Sequence, residues 1–249
     1  IKNTIITAIY LLLTGITVFL CEDLFYNGAF GAIMSLAVSH CFGRRFMPQY
    51  LHPPAGMAPL SPAVLAKPLV LEIGAGRGKH AKLYSAQHPT HHLVAVERTK
   101  AKARDLLQLS APNLTTVHAD AIPYSVFALP PKCLLAIYIL YPNPEPKNPN
   151  QRFVNMPFFE FLLSRLQAKG QLFLASNEAD YIDEALHQCR EVWRLPCVRY
   201  AVPPHMARTH FEIKYLARQA HCQEICVIKP VDYRTHFDDF DNTVGISHA

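Results

Sequence analysis

The sequence is poor in charged side chains, which make up 17% of its 249 residues against roughly 25% in a typical soluble domain. Half of the residues are apolar, and this excludes intrinsic disorder for most of the chain, because disorder requires low hydrophobicity and high charge. The seven cysteines are an odd number spread over a long chain, which excludes a small disulfide scaffold. Twenty prolines exclude a coiled coil, and no internal period supports a repeat architecture.

The shortage of charge is greatest in residues 1–43, which contain only three charged side chains. Two runs, residues 4–21 and 24–43, contain none, and each approaches the roughly 20 residues that a bilayer-spanning helix requires. A membrane hairpin with both ends in the cytoplasm is one interpretation, because an acidic pair separates the runs and basic residues flank them. The alternatives are two packed apolar helices, an oligomer contact, or a targeting segment.

Composition divides the chain into four parts. After the apolar segment 1–43 comes a proline-rich linker at 44–68, then a domain at 69–230, and last a polar, acidic tail at 231–249. The cysteines show no disulfide pattern, which is typical of the cytoplasm. We therefore expect a cytoplasmic protein, attached to the inner face of a membrane if the first segment is a hairpin.

Short apolar runs alternate with helical stretches through the central part of the chain. Strands are predicted at 69–73, 92–97, 115–118, 133–140 and 171–176, with further strand-like runs at 211–216 and 224–228. Helices are predicted at 80–86, 99–109, 157–168 and 181–192. This alternation predicts an α/β fold with a doubly wound, mostly parallel sheet, preceded by an apolar helical appendage.

A glycine-rich turn follows the first predicted strand, with Gly74, Gly76 and Gly78 separated by single residues and Glu72 preceding them. Glycine permits positive φ and a close approach of the backbone to a ligand. The spacing differs from the dinucleotide fingerprint, in which a pyrophosphate lies at a helix N-terminus. An acid beside the loop would repel a pyrophosphate and attract a cation such as the sulfonium of S-adenosylmethionine, the cofactor that we predict.

Two further acids follow strands in the order that such a site requires. Glu97 ends the second strand, where a carboxylate accepts hydrogen bonds from both ribose hydroxyls. Asp120-Ala121 follows the third strand and is placed to reach an adenine amino group. A nicotinamide dehydrogenase, and a domain whose glycines only turn the chain, are the alternatives.

Two longer segments carry a family resemblance. Residues 141–147 read Tyr-Pro-Asn-Pro-Glu-Pro-Lys, and residues 209–214 read Thr-His-Phe-Glu-Ile-Lys. They resemble the aromatic-Pro-Asp-Pro-Trp-x-Lys and Thr-x-Phe-Glu-x-Lys segments of the tRNA (guanine-N7)-methyltransferase family, and the resemblance extends from about residue 42 to residue 230. Shorter likenesses lie at 42–45, 71–74, 120–121 and 176–181.

The resemblance has departures at positions that matter for the substrate. Asn143 and Asn177 stand where the family has Asp, and Glu145 stands where it has Trp. The run after Lys147 has lost the family's basic and histidine residues apart from Arg152. A carboxylate accepts from guanine N1–H and N2–H, whereas an amide presents one acceptor and one donor. The sequence therefore resembles a divergent member of the family.

The resemblance implies methyl transfer from S-adenosylmethionine to N7 of a guanine in tRNA. It implies Asn143 and Lys147 as catalytic residues, with Asn143 also contacting the cofactor. The substrate-binding residues that it implies are Lys147, Asn177, Thr209, His210, Phe211 and Glu212. Because N7 has a free lone pair and the sulfonium methyl is already activated, catalysis would depend on positioning and electrostatics.

Two other functions stay open, a membrane-attached methyltransferase of a small or lipophilic substrate and a non-catalytic cofactor-binding module. The run 143–146 also partly matches the Asn-Pro-Pro-aromatic motif of methyltransferases that act on amino or amide nitrogens. We predict no metal site, because Cys222 and Cys226 lack a partner pair. The expected partners are tRNA or another nucleic acid, which a net charge of +5 permits, and a membrane contacted through residues 4–43.

Overall fold

The protein is described here as a computed structural model covering residues 44–243. The apolar segment 1–43, with its hairpin and packed-helix interpretations, and residues 244–249 lie outside the described residues. The strands are β1 (Leu69–Ile73), β2 (His92–Glu97), β3 (Leu114–His118), β4 (Leu134–Leu140), β5 (Leu166–Ser176), β6 (Cys197–Ala201) and β7 (Gln223–Ile228).

These strands form one sheet in the order β3-β2-β1-β4-β5-β7-β6. Strands β1 to β5 pair in parallel, and β7 is antiparallel to both β5 and β6. The strand order reverses between β1 and β4, which is the switch point at which such sheets bind ligands. The predicted α/β fold with a doubly wound, mostly parallel sheet is confirmed.

Seven α-helices connect the strands of the described region. They are α1 (Pro62–Leu65), α2 (Lys79–Gln87), α3 (Lys100–Leu106), α4 (Ala121–Ala128), α5 (Phe158–Arg165), α6 (Ala179–His187) and α7 (His210–Leu216). Side-chain caps begin three of them: Ser61 caps α1, Asp120 caps α4 and Thr209 caps α7. A π-helical turn continues α6.

Helix α7 corrects the sequence interpretation, which predicted a strand-like run at 211–216. Phe211, Ile213 and Tyr215 alternate with polar residues, and this pattern resembles a half-buried strand. Thr209 precedes the helix and forms a capping box with Glu212 in its first turn, in which each side chain accepts a hydrogen bond from the other's backbone N–H. Because two otherwise unpaired donors are satisfied in this way, the segment begins a helix.

The two faces of the sheet are covered unequally. On one face Leu172, Leu174 and Ile225 are fully buried against the cluster that includes α5 and α6. On the other face the stacked rings of Tyr138 and Phe173, with centroids 4.8 Å apart, are only half-buried. Val70, Leu93 and Ala95 on the same face are fully buried, so only the part of this face on β4 and β5 departs from the usual burial of both faces of a parallel sheet.

The segment after residue 230 packs against the domain as far as it is described. The buried guanidinium of Arg165 donates to the carbonyl oxygens of Phe237 at 2.7 Å and Phe240 at 2.9 Å. The Tyr233 hydroxyl donates to the carbonyl of Trp193 at 2.8 Å. Residues 231–243 therefore supply acceptors and rings to the core on the side of α5.

Candidate functional site

The predicted site residues meet at one edge of the sheet. The carboxyl ends of parallel strands share an edge, and because β7 is antiparallel its first residues lie there too. The register pairs Glu97 with His118 and Ala175 with Glu224, and the Tyr141 backbone N–H donates to the Ala175 carbonyl at 2.8 Å. This edge carries the glycine loop after β1, the end of β2, and the loops that follow β3, β4 and β5.

The glycine loop has the backbone that its composition predicts. Gly74, Gly76 and Gly78 have φ angles of 76°, 60° and 81°, which residues with a side chain rarely adopt. A Cβ on Gly74 or Gly76 would meet nothing within 4 Å, whereas one on Gly78 would collide with Leu106 and Leu109. The first two glycines therefore border open space, and the third allows close packing of α2 against α3.

Glu97 holds the glycine loop in place. Its carboxylate accepts from the Gly76 N–H at 2.8 Å and from the Thr99 N–H at 2.6 Å, and the residue is 5% exposed. The Gly74 and Ala75 N–H groups donate to the Val96 carbonyl at 2.8 and 3.0 Å. A carboxylate has about four acceptor positions, so Glu97 retains capacity for further donors.

Asp120 begins the helix that follows β3. Its Oδ1 accepts from the Ile122 N–H at 2.8 Å, and its Oδ2 lies 3.7 Å from the Arg98 guanidinium. Asp120 and the adjacent Ala121 are both half-exposed. The structure thus places Asp120 near Glu97, because the Ala119 N–H between β3 and α4 donates to the Glu97 carbonyl at 3.2 Å.

Glu72 is placed differently from the other acids. It lies inside β1, is 2% exposed, and has Oε2 3.1 Å from Nδ1 of the equally buried His80. The His80 ring in turn lies 4.7 Å from the Tyr138 ring, centroid to centroid. Glu72 therefore belongs to a buried polar pair between the sheet and α2, and is not an open carboxylate at the strand ends.

The loop after β4 carries Asn143 and Lys147 on its exposed side. The Asn143 amide donates to the Glu145 carboxylate at 2.7 Å, and Glu145 itself has a positive φ of 46°. Arg152 links this loop to helix α6. Its Nε donates to the Pro144 carbonyl at 2.8 Å, and its guanidinium is paired with Glu184. In the sequence Arg152 is marked only as a remaining basic residue, and no local pattern predicts this role.

The segment before β7 contains a buried charge cluster. Glu212 is fully buried and accepts from the backbone N–H groups of Arg208 and Thr209 at 2.6 and 2.8 Å. The Arg208 side chain lies 3.3 Å from Glu212 and also pairs with Glu224, which is 1% exposed and accepts from the Tyr200 hydroxyl. Arg208 and Glu224 are not predicted from the sequence, because no local pattern marks either of them.

His210 and Phe211 follow this cluster on α7 and are exposed. Asn177 follows β5, is half-exposed, and donates to the Glu178 carboxylate at 2.7 Å. The structure therefore brings the predicted substrate residues to one edge, but it separates buried supporting groups from exposed side chains. Burial also raises the pKa of the Tyr141 hydroxyl above its usual range, so this ring is neutral at the edge.

Two features are absent from the described residues 44–243. Within this range no helix combines the length and the apolar character needed to cross a membrane. The same residues contain no group of three or more His, Cys, Asp or Glu side chains arranged to hold a metal ion.

Glycine loop, strand-end acids and strand order together define the fold of the class I methyltransferases. A family model described as "Putative methyltransferase" matches residues 66–223, more than half of the chain. The chain belongs to this methyltransferase family.

Curated relatives confirm the resemblance found in the sequence. The chain is 31% identical over 149 residues to a tRNA (guanine-N(7)-)-methyltransferase of Nitrosospira multiformis, covering 56% of this chain and 65% of that one. It is 37% identical over 126 residues to the protein of the same name from Acidithiobacillus ferrooxidans, covering 48% and 55%. The chain thus spans somewhat more than half the length of these relatives.

Solved structures agree on the fold. A 16S rRNA methyltransferase, KamB, matches with a TM-score of 0.54 at 15% identity, covering 70% of this chain and 96% of that chain. An antibiotic-related methyltransferase matches with a TM-score of 0.52 at 12% identity over the same shares. At such identities the likeness establishes the fold only.

Proposed function

We propose that the chain is an S-adenosylmethionine-dependent methyltransferase that methylates N7 of a guanine in tRNA. The observation that carries this proposal is the single sheet edge that joins the glycine loop and Glu97 to Asn143, Asn177 and α7. The names of the curated relatives support the same activity. The site of action is the cytoplasm, where tRNA is found.

The first half of the edge fits the cofactor. Gly74 and Gly76 border open space and leave the backbone accessible to a ligand. Glu97 keeps acceptor positions for ribose hydroxyls, and the half-exposed Asp120-Ala121 is placed for the adenine. When bound, the cofactor supplies a methyl group activated as a sulfonium. Gly78 and the buried Glu72 then act indirectly, by shaping the loop and α2.

The second half of the edge fits the base and its flanking phosphates. Guanine N7 has a free lone pair, so no residue needs to remove a proton, and the chain contributes by positioning the base. Asn143 offers an exposed amide, Asn177 a half-exposed amide and Lys147 an exposed cation for phosphate. Thr209 and the fully buried Glu212 position α7, whose His210 and Phe211 face solvent.

We also propose the division of the chain made from its composition. Residues 69–230 form the catalytic domain, 44–68 a linker that leads into it, and 1–43 a separate apolar appendage. The acidic part beginning at 231 serves the domain by completing its core, because Arg165 binds the carbonyls of Phe237 and Phe240.

The test is methyl transfer from labelled S-adenosylmethionine to transcribed tRNA, followed by digestion and identification of the modified nucleoside. Labelled 7-methylguanosine is expected with guanine-containing tRNA, and none with tRNA made with 7-deazaguanosine, which lacks the acceptor nitrogen. A membrane-lipid extract is assayed in parallel. Label that appears only in lipid would contradict the proposal in favour of the lipophilic-substrate alternative. Cofactor binding without any transfer would favour a non-catalytic module.

A further inference from the structure

Three aromatic rings form a nearly parallel series at the second half of the edge. The Tyr141 and Phe211 rings have centroids 6.0 Å apart with 6° between their planes, and Phe211 and Tyr215 follow at 6.1 Å and 14°. We call these three residues the aromatic series. Their separations lie within the range of offset-stacked pairs.

Two local features build the aromatic series. Phe211 and Tyr215 are four residues apart on α7, which places their side chains on one face of the helix. Tyr141 follows β4 with a positive φ of 54°, a conformation that is uncommon for a bulky residue and brings its ring to Phe211. Strained backbone of this kind concentrates at functional sites.

The central ring is accessible to a ligand. Phe211 is 43% exposed, whereas Phe158 and Phe159 of the same domain are at most 2% exposed. Because Phe211 lies between the other two rings, a planar heterocycle can continue the stack only on the outer face of the half-exposed Tyr141 or Tyr215 ring, beside the exposed edge of Phe211. Stacking on aromatic side chains is how proteins hold bases that have left a helix.

Basic side chains lie on the same segment as the aromatic series. The Lys214 ammonium lies 5.8 Å from the centroid of the Tyr215 ring, and the exposed Arg218 follows α7. Aromatic rings interleaved with cations are the chemistry that binds single-stranded nucleic acid, since the rings stack on bases and the cations contact phosphates. A lipid or a small apolar substrate would not require parallel rings.

We propose that the aromatic series of Tyr141, Phe211 and Tyr215 is a stacking platform for an unpaired base of the RNA substrate. This inference rests on the proposed function and specifies how the base is held beside Asn143. The substrate-binding residues implied by the family resemblance do not include Tyr141 or Tyr215.

The experiment uses a tRNA-derived stem-loop that carries 2-aminopurine in its unpaired region, whose fluorescence falls when the base stacks. Phe211→Leu keeps apolar volume but removes the flat ring, and Phe211→Trp keeps it. Ile213→Ala is the matched control, because Ile213 is 44% exposed on the same helix. Binding is measured at one fixed salt concentration, since affinity for RNA depends on salt.

The expected result is a loss of about 10-fold in RNA affinity and of most of the quenching with Phe211→Leu. Phe211→Trp should restore both, and Ile213→Ala should leave both unchanged, with equal melting temperatures throughout. In the transfer assay KM for tRNA should rise while the affinity for S-adenosylmethionine stays constant. Equal binding and quenching by the wild type and Phe211→Leu would overturn the inference.

The same design separates this inference from the proposed function. Quenching that depends on Phe211 in a protein that transfers no methyl group to tRNA would contradict the proposed function and support the platform. Transfer to guanine N7 with a Phe211→Leu variant that binds RNA normally would support the function and contradict the platform.

Discussion

The two halves of the sheet edge differ in whether the candidate ligand-binding residues also hold the backbone. In the half after β1, β2 and β3, the candidate ligand-binding groups also hold the backbone, because Glu97 braces the glycine loop and Asp120 caps α4. In the half formed by β4, β5 and β7, the half-buried Arg152 and the fully buried Glu212 hold the backbone, and exposed residues such as Asn143 face solvent. We therefore expect the first half to resist change and the second to allow its contact residues to vary.

The largest effect on stability is expected for Glu212→Ala. This change removes a fully buried carboxylate that accepts from Arg208 and Thr209, and it also removes the capping box of α7. The free energy of unfolding should fall by about 3–5 kcal/mol, because the Arg208 cation loses a buried partner. Urea unfolding provides the measurement.

The control for this change is Glu191→Ala, which removes an exposed acid paired with Arg194 on the surface. It should alter the unfolding free energy by at most about 1 kcal/mol. Folded Glu212→Ala protein should bind S-adenosylmethionine normally if the two halves are independent. An unchanged urea midpoint for Glu212→Ala would refute its supporting role.

The next effect in size concerns Glu97→Ala in the first half. Both functions of this carboxylate should be lost together, because it holds the Gly76 N–H and is the proposed ribose acceptor. Titration calorimetry should show the affinity for S-adenosylmethionine falling about 100-fold, which corresponds to two lost hydrogen bonds to a charged group. The free energy of unfolding should fall by about 2–3 kcal/mol, because the Gly76 and Thr99 N–H groups lose a charged acceptor.

Glu97→Gln provides the complementary measurement, because it keeps the size of the side chain and one acceptor oxygen. Relative to the wild type, Glu97→Gln should lose less free energy of unfolding than free energy of binding to S-adenosylmethionine. If Glu97→Ala binds the cofactor as tightly as the wild type, ligand binding and support of the backbone are not combined in Glu97, and the proposed difference between the halves is wrong.

A smaller effect is expected for Arg152→Ala, which releases the loop after β4. Loss of the hydrogen bond to the Pro144 carbonyl and of the Glu184 pair should lower the unfolding free energy by about 1–3 kcal/mol. Methyl transfer to tRNA should fall with it, while cofactor affinity should not. Arg194→Ala, at an exposed pair, is the matched control. Reduced cofactor binding in Arg152→Ala would show that the halves are coupled.

The smallest change in stability is expected for the double substitution Asn143→Asp with Asn177→Asp. Asn143 is exposed and Asn177 half-exposed, but each new carboxylate would lie beside the Glu145 or Glu178 carboxylate to which the amide donates, so the unfolding free energy should fall by at most about 1 kcal/mol. Carboxylates there can accept from guanine N1–H and N2–H, and kcat/KM for guanine-containing tRNA should rise about 10-fold. A fall in kcat/KM would indicate that the amides are tuned to a different base.

Local patterns predicted the features of the first half. Apolar runs located the parallel strands, and glycines marked positions whose positive φ the structure confirms. The segment 211–216 was predicted wrongly, because alternation was weighed above the Thr-x-x-Glu capping signal in the same stretch. The inward position of Glu72 depends on strand register, which the sequence pattern did not specify.

Long-range contacts account for most of what the sequence did not reveal about the second half. Arg152 pairs with Glu184 across 32 positions, and Arg208 reaches Glu224 on β7 from the segment before α7. Such pairs can be predicted only when the order of the strands in the sheet is known, because no periodic sequence pattern relates their two members. The resemblance located α7 and the loop after β4, but it did not distinguish supporting residues from contact residues.

The buried guanidinium of Arg165 sets a condition on the synthesis of the protein. Two of its acceptors are the carbonyls of residues 72 and 75 positions further along the chain. When α5 has left the ribosome but residues 237–240 have not, the Arg165 guanidinium lacks two of its hydrogen-bond acceptors. Because these contacts join residues far apart in the sequence, the core can close around Arg165 only after Phe240 has left the ribosome.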